Sequence, residues 1–135
     1  MSTAAEETGK LVLRLAVGGL ILMHGIAKLK GGVGGIMGMV GGAGLPGELA
    51  YLVYIGEVLA PLLIIVGFWT RPAALIVVGN MLVAVYLAHL GQLGDLNNTG
   101  GWAIELQAMF LFGALSVALL GAGRFSVGGP SGRWN

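Results

Sequence analysis

The chain has 135 residues, of which 56% are hydrophobic and only 10% charged, with a net charge of +1 and no cysteine. A soluble domain of this length has too little interior to hide that much apolar side chain, so the composition is that of a membrane protein. The small net charge argues against nucleic-acid binding. The absence of cysteine excludes disulfides, thiolate metal sites, iron–sulfur ligation and covalent c-type haem attachment, so any redox chemistry must belong to a bound cofactor, a substrate or a partner chain.

Four apolar stretches follow in chain order, each near the ~20 residues that cross a bilayer. The first runs over residues 11–29. It is too long for a signal peptide, carries Arg14 and His24, lacks a small-residue cleavage motif and is expected to be retained. Residues 31–47 then hold nine glycines interleaved with Val33, Ile36, Met37, Met39 and Val40. That segment is too apolar for a solvated linker and too short to span, and it predicts a short interfacial or re-entrant helix ended by Gly44-Leu45-Pro46. A functional lid and a packed loop are both open readings of it. The second span covers 49–68, the third 72–90 and the fourth 102–120. Thr70 is a candidate cap for the third, with Pro72 in its first turn. Residues 91–101 form a polar loop with Asp95, Asn97 and Asn98. The expected fold is therefore all-α: one domain over 1–135, an integral membrane four-helix bundle.

An even span count puts both termini on one side, with Lys10, Arg14, Arg71, Arg124 and Arg133, whereas the opposite side holds Lys28 and Lys30. The positive-inside rule then places both termini in the cytoplasm and the chain in the inner (plasma) membrane. Trp69 and Trp102 fall at opposite faces, as interfacial anchors do.

Ionisable groups inside lipid must pair or line a pathway, so each is a functional candidate. At 1.5 Å per residue His24 lies roughly 7 Å below the outer end of its span, and Glu57 roughly 12 Å. Lys28, His89 and Glu105 share that outer half, which points to a common site drawn from four helices. Arg14, His24 and Lys28 fit within an arc of about 80° on one helix face. Glu105, Met109, Phe112 and Ser116 form a stripe on the fourth span, with Gln107 pointing elsewhere. Asn80 and His89, nine residues apart, face opposite ways unless their helix is distorted. Pro61, four residues after Glu57, predicts a kink and a freed carbonyl beside that carboxylate. Plainer readings stand beside these: Arg14, Arg71 and Lys28 snorkelling to a surface, His24 and His89 as hydrogen-bonded core residues, Glu105 complementing a helix dipole. Gly18, Gly19, Gly25, Ala84, Ala88 and Ala114 read as close-packing positions.

Several motifs resemble the DoxX family of small four-helix membrane proteins. They are His24-Gly25-x-x-Lys28-Leu29, Gly44-Leu45-Pro46, Glu57 within its span, and Leu63-Ile64-x-x-Gly67-x-x-Thr70-Arg71-x-x-Ala74. Gly100-Gly101-x-x-x-Glu105 and Gly121-x-Gly123-Arg124-Phe125-Ser126 complete the set, with Phe125 where Tyr is common. The resemblance runs from about Leu11 to Val127 and points to His24, Lys28, Glu57, Arg71, Glu105 and Arg124. It implies association with thiosulfate:quinone oxidoreductases or with membrane redox and oxidative-stress assemblies, without guaranteeing catalysis.

The leading expectation is a subunit supporting quinone-linked oxidoreductase chemistry. Glu57, His24, Lys28 and Glu105 are the acid/base candidates, and His24, Lys28, Glu57, Arg71, Asn80 and His89 the cofactor-binding ones. No metal site is assigned. A scaffold for a soluble redox partner, with Lys28–Glu57 or Lys28–Glu105 as an interhelical tie, is the second reading. A small-molecule or proton-coupled transporter is the third, and haem held by His24 and His89 the weakest. Glycine-rich faces also allow a homo-oligomer.

Overall fold

A computed structural model describes residues 1–135, and it is helical apart from turns and one antiparallel bridge between Leu96 and Trp102. Helix α1 spans Ala4–Gly31, about 42 Å long against a hydrocarbon core of ~30 Å. It starts at Ala4 rather than at Leu11 because Thr3 and Glu6 form a capping box. The Thr3 hydroxyl accepts from the Glu6 N–H at 3.1 Å, and the Glu6 carboxylate accepts from the Thr3 N–H at 2.9 Å. Two reciprocal bonds satisfy donors that the first turn leaves orphaned, so the helix outruns its apolar stretch.

Helix α2, Gly34–Gly42, is the short helix expected between the first two spans. Val33 and Val40 are buried with Ala50, against Met37, Tyr54 and Leu87, so α2 sits on the ends of the following rods that lie away from the termini. Its glycines are not there for close packing within the chain. A β-carbon on Gly34, Gly35, Gly38, Gly41 or Gly42 would meet nothing within 4 Å.

The third rod, α3, covers Gly47–Val66. It opens as a 3₁₀ segment, Gly47–Leu52, passes through a π-turn at Ile55–Leu59 and ends as regular α-helix over Ala60–Val66. The π-turn is the form taken by the kink expected from Pro61: the Ala60 N–H reaches back five residues to the Ile55 carbonyl. Gly67 (φ +75°) and Trp69 (φ +49°) then reverse the chain. Left-handed backbone costs glycine nothing but strains tryptophan, so the tight link is held by what packs around it. Helix α4, Thr70–Gln92, carries a second π-turn at Val85–His89. Thr70 does not cap it. The residue is already helical and its hydroxyl donates to the Asn135 side chain at 2.8 Å.

Helix α5 begins at Glu105, three residues later than expected at 102, and ends at Leu120. The delay has a local cause: the Asn97 side-chain oxygen accepts from the N–H groups of Thr99 and Gly101 and from the Thr99 hydroxyl, folding the loop back on itself. The rods form a ring in the order α1, α3, α4, α5, with α5 packed along α4 for most of its length and against α1 more briefly. Val17, Ile21, Ile64, Val77, Phe110 and Val117, with Ala60, Ala73, Ala74 and Ala114, make the core. Small residues let the backbones approach, which is how helices associate where lipid is as apolar as the interface. Gly18 packs on the Pro61 carbonyl and Ile65, and Gly25 on the Glu57 carbonyl. Gly19 and Ala88, expected at such contacts, face outward instead.

Candidate functional site

Glu57 is the centre of the polar site. Its residue is 5% exposed, and a carboxylate that deep requires partners on its oxygens. Both are supplied across the ring: the Lys28 ammonium of α1 donates to Oε1 at 2.5 Å, and the Asn80 amide of α4 donates to Oε2 at 3.2 Å. Three helices are thereby tied at one depth. Lys28 is held in turn, since the Tyr54 hydroxyl donates to its backbone carbonyl at 3.1 Å.

Local sequence explains the convergence. Pro61 cannot donate to the carbonyl four residues back, and the π-turn over Ile55–Leu59 widens the rod where Glu57 sits. Gly56 makes room for Asn80, because a β-carbon there would lie 2.6 Å from the Asn80 amide carbon. Gly25 lets α1 lie directly on the Glu57 backbone carbonyl, one turn below Lys28. Two glycines and one proline thus set the distances at which the three side chains meet.

The other expected residues are near this site or apart from it. His24 lies one turn from Lys28 on the same helix face, exposed, with its ring edge-on to Phe110 at 5.6 Å and no hydrogen bond to the protein. His89 is occupied at both nitrogens, with Nδ1 2.7 Å from the Gln92 side-chain oxygen and Nε2 3.3 Å from the Gln107 amide. Asn80, before the second π-turn, and His89, its last residue, therefore serve different partners. Glu105 is exposed and accepts from the Asn97 amide at 3.1 Å. Its stripe faces outward, with Met109 and Phe112 among the most exposed apolar residues, and Gln107 is the polar residue that turns in. The expected five-residue site is resolved into Lys28–Glu57–Asn80 beside His24, a His89–Gln107 pair, and Glu105 at the rim.

Arg71 is at the opposite end of the bundle, donating to the Ala118 and Leu119 carbonyls at 2.7 and 2.8 Å. It caps α5 and shares no ligand with Glu57. Arg14, 1% exposed, is the hub of that end. It donates to the carbonyls of Ile64, Ile65, Ala122 and Phe125 at 2.8–2.9 Å. Snorkelling is thus not what either arginine does: each neutralises the carbonyl ends of helices that stop there.

Sequence reasoning passed over Gly56, Tyr54, Glu7 and Asn135. Gly56 beside the one mid-span carboxylate was a usable signal. Glu7 and Asn135 carried none, because their partners arrive only when the chain beyond α5 folds under the bundle. There the Glu7 carboxylate accepts from the Arg124 N–H at 2.7 Å and from Lys10 at 3.1 Å, and Asn135 bonds Thr70, Ser126 and the Gly129 carbonyl.

Fold and site together define a small helical membrane protein with an ion-paired polar centre in one half of its bundle. The chain belongs to the DoxX family, whose sequence model matches residues 9–90. That stretch takes in His24, Lys28, Glu57, Arg71, Asn80 and His89 but neither Glu105 nor Arg124. A Haemophilus influenzae protein described as uncharacterized is 32% identical over 111 residues, covering 78% of this chain and 81% of its own. No solved structure matches the chain.

Proposed function

We propose that this protein is a membrane subunit supporting quinone-linked oxidoreductase chemistry, with Lys28, Glu57, Asn80 and His24 as its working residues. The observation that carries this reading is the path from the Glu57 carboxylate to the bundle surface. Glu57 is buried, Lys28 on it keeps 29% of its side chain exposed, and His24 one turn away is open and unbonded.

The residues suit a quinone headgroup. Lys28 has three N–H donors and uses one on Glu57, and His24 offers a ring nitrogen within an apolar setting. A bound quinone supplies two-electron, two-proton chemistry that no side chain of this cysteine-free chain supplies. His24 and Lys28 would orient its oxygens, and Glu57 would hold or release a proton at Oε1, where Lys28 already sits. Asn80 fixes the other carboxylate oxygen, so a change at Oε1 does not swing the group away. Arg71 lies too far off to take part, and Glu105 is committed to the loop.

Replacing Glu57 by Gln keeps the shape and removes the carboxylate; the amide oxygen still accepts from Lys28, and Asn80 keeps its bond by turning its own amide oxygen toward the new NH2. Quinone-dependent turnover of the assembly should fall at least about tenfold, the low end of what a general acid–base group contributes being ~100-fold. Unchanged turnover in a folded E57Q protein refutes the reading.

One observation favours a second reading. Both Glu57 oxygens are satisfied within the chain, as a purely structural interhelical tie requires. A scaffold for a soluble redox partner would need nothing more, and extraction of mildly purified protein separates the two: co-eluting quinone supports the first. A transporter is less well supported, because Arg14 and residues 121–135 fill the end through which a solute would leave. The excess of positive charge at that same end supports cytoplasmic termini in the inner membrane.

A further inference from the structure

The four arginines of the chain all lie at the end that carries both termini, and they fall into two pairs. Arg14 and Arg71 spend their donors on backbone carbonyls. The guanidinium groups of Arg124 and Arg133 have no hydrogen-bond acceptor and no carboxylate in the chain; the two ion pairs are Lys10–Glu7 and Lys28–Glu57. The carboxylates of this end are already engaged, Glu6 on the Thr3 N–H and Glu7 on Ser2, Lys10 and the Arg124 N–H.

Each free guanidinium is nevertheless held in place. Arg124 lies over the Phe125 ring at 5.0 Å and Arg133 over the Trp134 ring at 4.9 Å. A guanidinium over an aromatic face is oriented by the ring quadrupole, and its five N–H donors remain at the edge. The rings beneath are themselves uncovered, Phe125 45%, Trp134 52% and neighbouring Val127 76% exposed. The segment does not hang loose: the Val127 and Gly128 N–H groups donate to the Val66 and Gly67 carbonyls at 3.0 and 2.9 Å, and Asn135 is 7% exposed. This anchored platform follows directly after α5, at the end of the bundle where the apolar rods stop. It combines exposed aromatics with cations that have no side-chain counter-ion, and headgroup phosphates complement it in charge.

We propose that residues 121–135 form a binding platform for anionic phospholipid, with Arg124 and Arg133 on the phosphate and Phe125, Val127 and Trp134 in the headgroup layer. The inference is independent of the quinone reading. The test uses the full chain in mild detergent with phosphatidylglycerol or phosphatidylcholine added, bound lipid being counted by native mass spectrometry. The expected preference for phosphatidylglycerol falls about fivefold for each arginine replaced by glutamine. It survives in part in R124K/R133K, which keeps charge but loses the planar fork. Equal retention of the two lipids, or an undiminished preference in R124Q/R133Q, overturns the proposal. So does stabilisation by inorganic phosphate alone without any by the lipid, which would assign a soluble anion, or a preference that only a bound acidic protein confers.

Discussion

The two ends of the bundle bury cations by different chemistry. At the terminal end Arg14 meets no acid: two carbonyls from the end of α3 and two from the chain just beyond α5 surround it, and their partial charges stand in for a counter-ion. At the end away from the termini Lys28 meets the Glu57 carboxylate, and the pair stays in touch with the surface through Lys28. The first arrangement is a fastener that sets a side chain against backbone, whereas the second sets two ionisable side chains against each other near the bundle surface. The difference teaches that charge in lipid is not by itself a mark of chemistry; the nature of the partner decides.

The largest expected effect tests the fastener. Arg14→Met leaves four carbonyls unpaired where the end of α3 meets the chain beyond α5, and a loss of about 3–5 kcal/mol, the scale of breaking a buried charged cluster, should abolish recovery of folded protein. Thermal unfolding of detergent-solubilised protein measures it, and a near-native midpoint would break the contrast between the ends. Next is Gly25→Ala, which drives a methyl into the Glu57 carbonyl and should cost about 1–3 kcal/mol while separating Lys28 from Glu57. Gly19→Ala, whose added carbon meets open space, should be nearly silent by the same measurement.

Glu57→Gln sharpens the comparison from the other side. Its structural cost should be about 1 kcal/mol, the usual size of an interhelical hydrogen bond in a membrane, because Lys28 is partly exposed and can turn outward. Large loss of turnover with small loss of stability marks a working site; the reverse marks a tie.

The smallest effect is pH-dependent and belongs to the terminal end, outside the membrane. The Ser2 hydroxyl foremost, then the Arg124 N–H and Lys10, hold the Glu7 carboxyl down to about 2 from an ordinary 4.5. A lowered value in the folded state means that ionised Glu7 favours the folded terminal end above about pH 4.5, and the share that comes from the Arg124 N–H favours docking of residues 121–128. That contribution should decline as pH falls from 4.5 and be gone below about 2. Protection of the Arg124 and Val127 amides, measured as hydrogen exchange relative to the intrinsic rate at each pH, should therefore fall over this interval in the native chain. Glu7→Gln should show faster exchange throughout and little further change.

Much of this was legible beforehand. Four apolar stretches and the short helix after the first could be read off because hydrophobic length and glycine punctuation are local properties. Glu57 stood out because a carboxylate between apolar runs has few explanations in lipid, and Lys28 because it shares the depth. Asn80 was picked out as a polar residue within α4, but nothing in its helical phase said that it faced Glu57 and that His89 did not. The α5 stripe was read inside out for the same reason: Met109 and Phe112 are as much at home against lipid as in a core, so apolarity ceases to mark the inward face.

By itself, then, the amino-acid order determined that the chain is a helical membrane protein, where its three long apolar rods and one shorter one lie, and which few side chains lipid would not tolerate alone. Only the tertiary structure decided their pairing: Arg14 with carbonyls, Glu57 with Lys28 and Asn80, Glu7 with the returning chain. The physical reason is that spans are selected one by one through transfer energy, whereas pairing depends on helix rotation and π-turn offsets. Close contacts at Gly25 and Gly56 exist only once the rods are side by side.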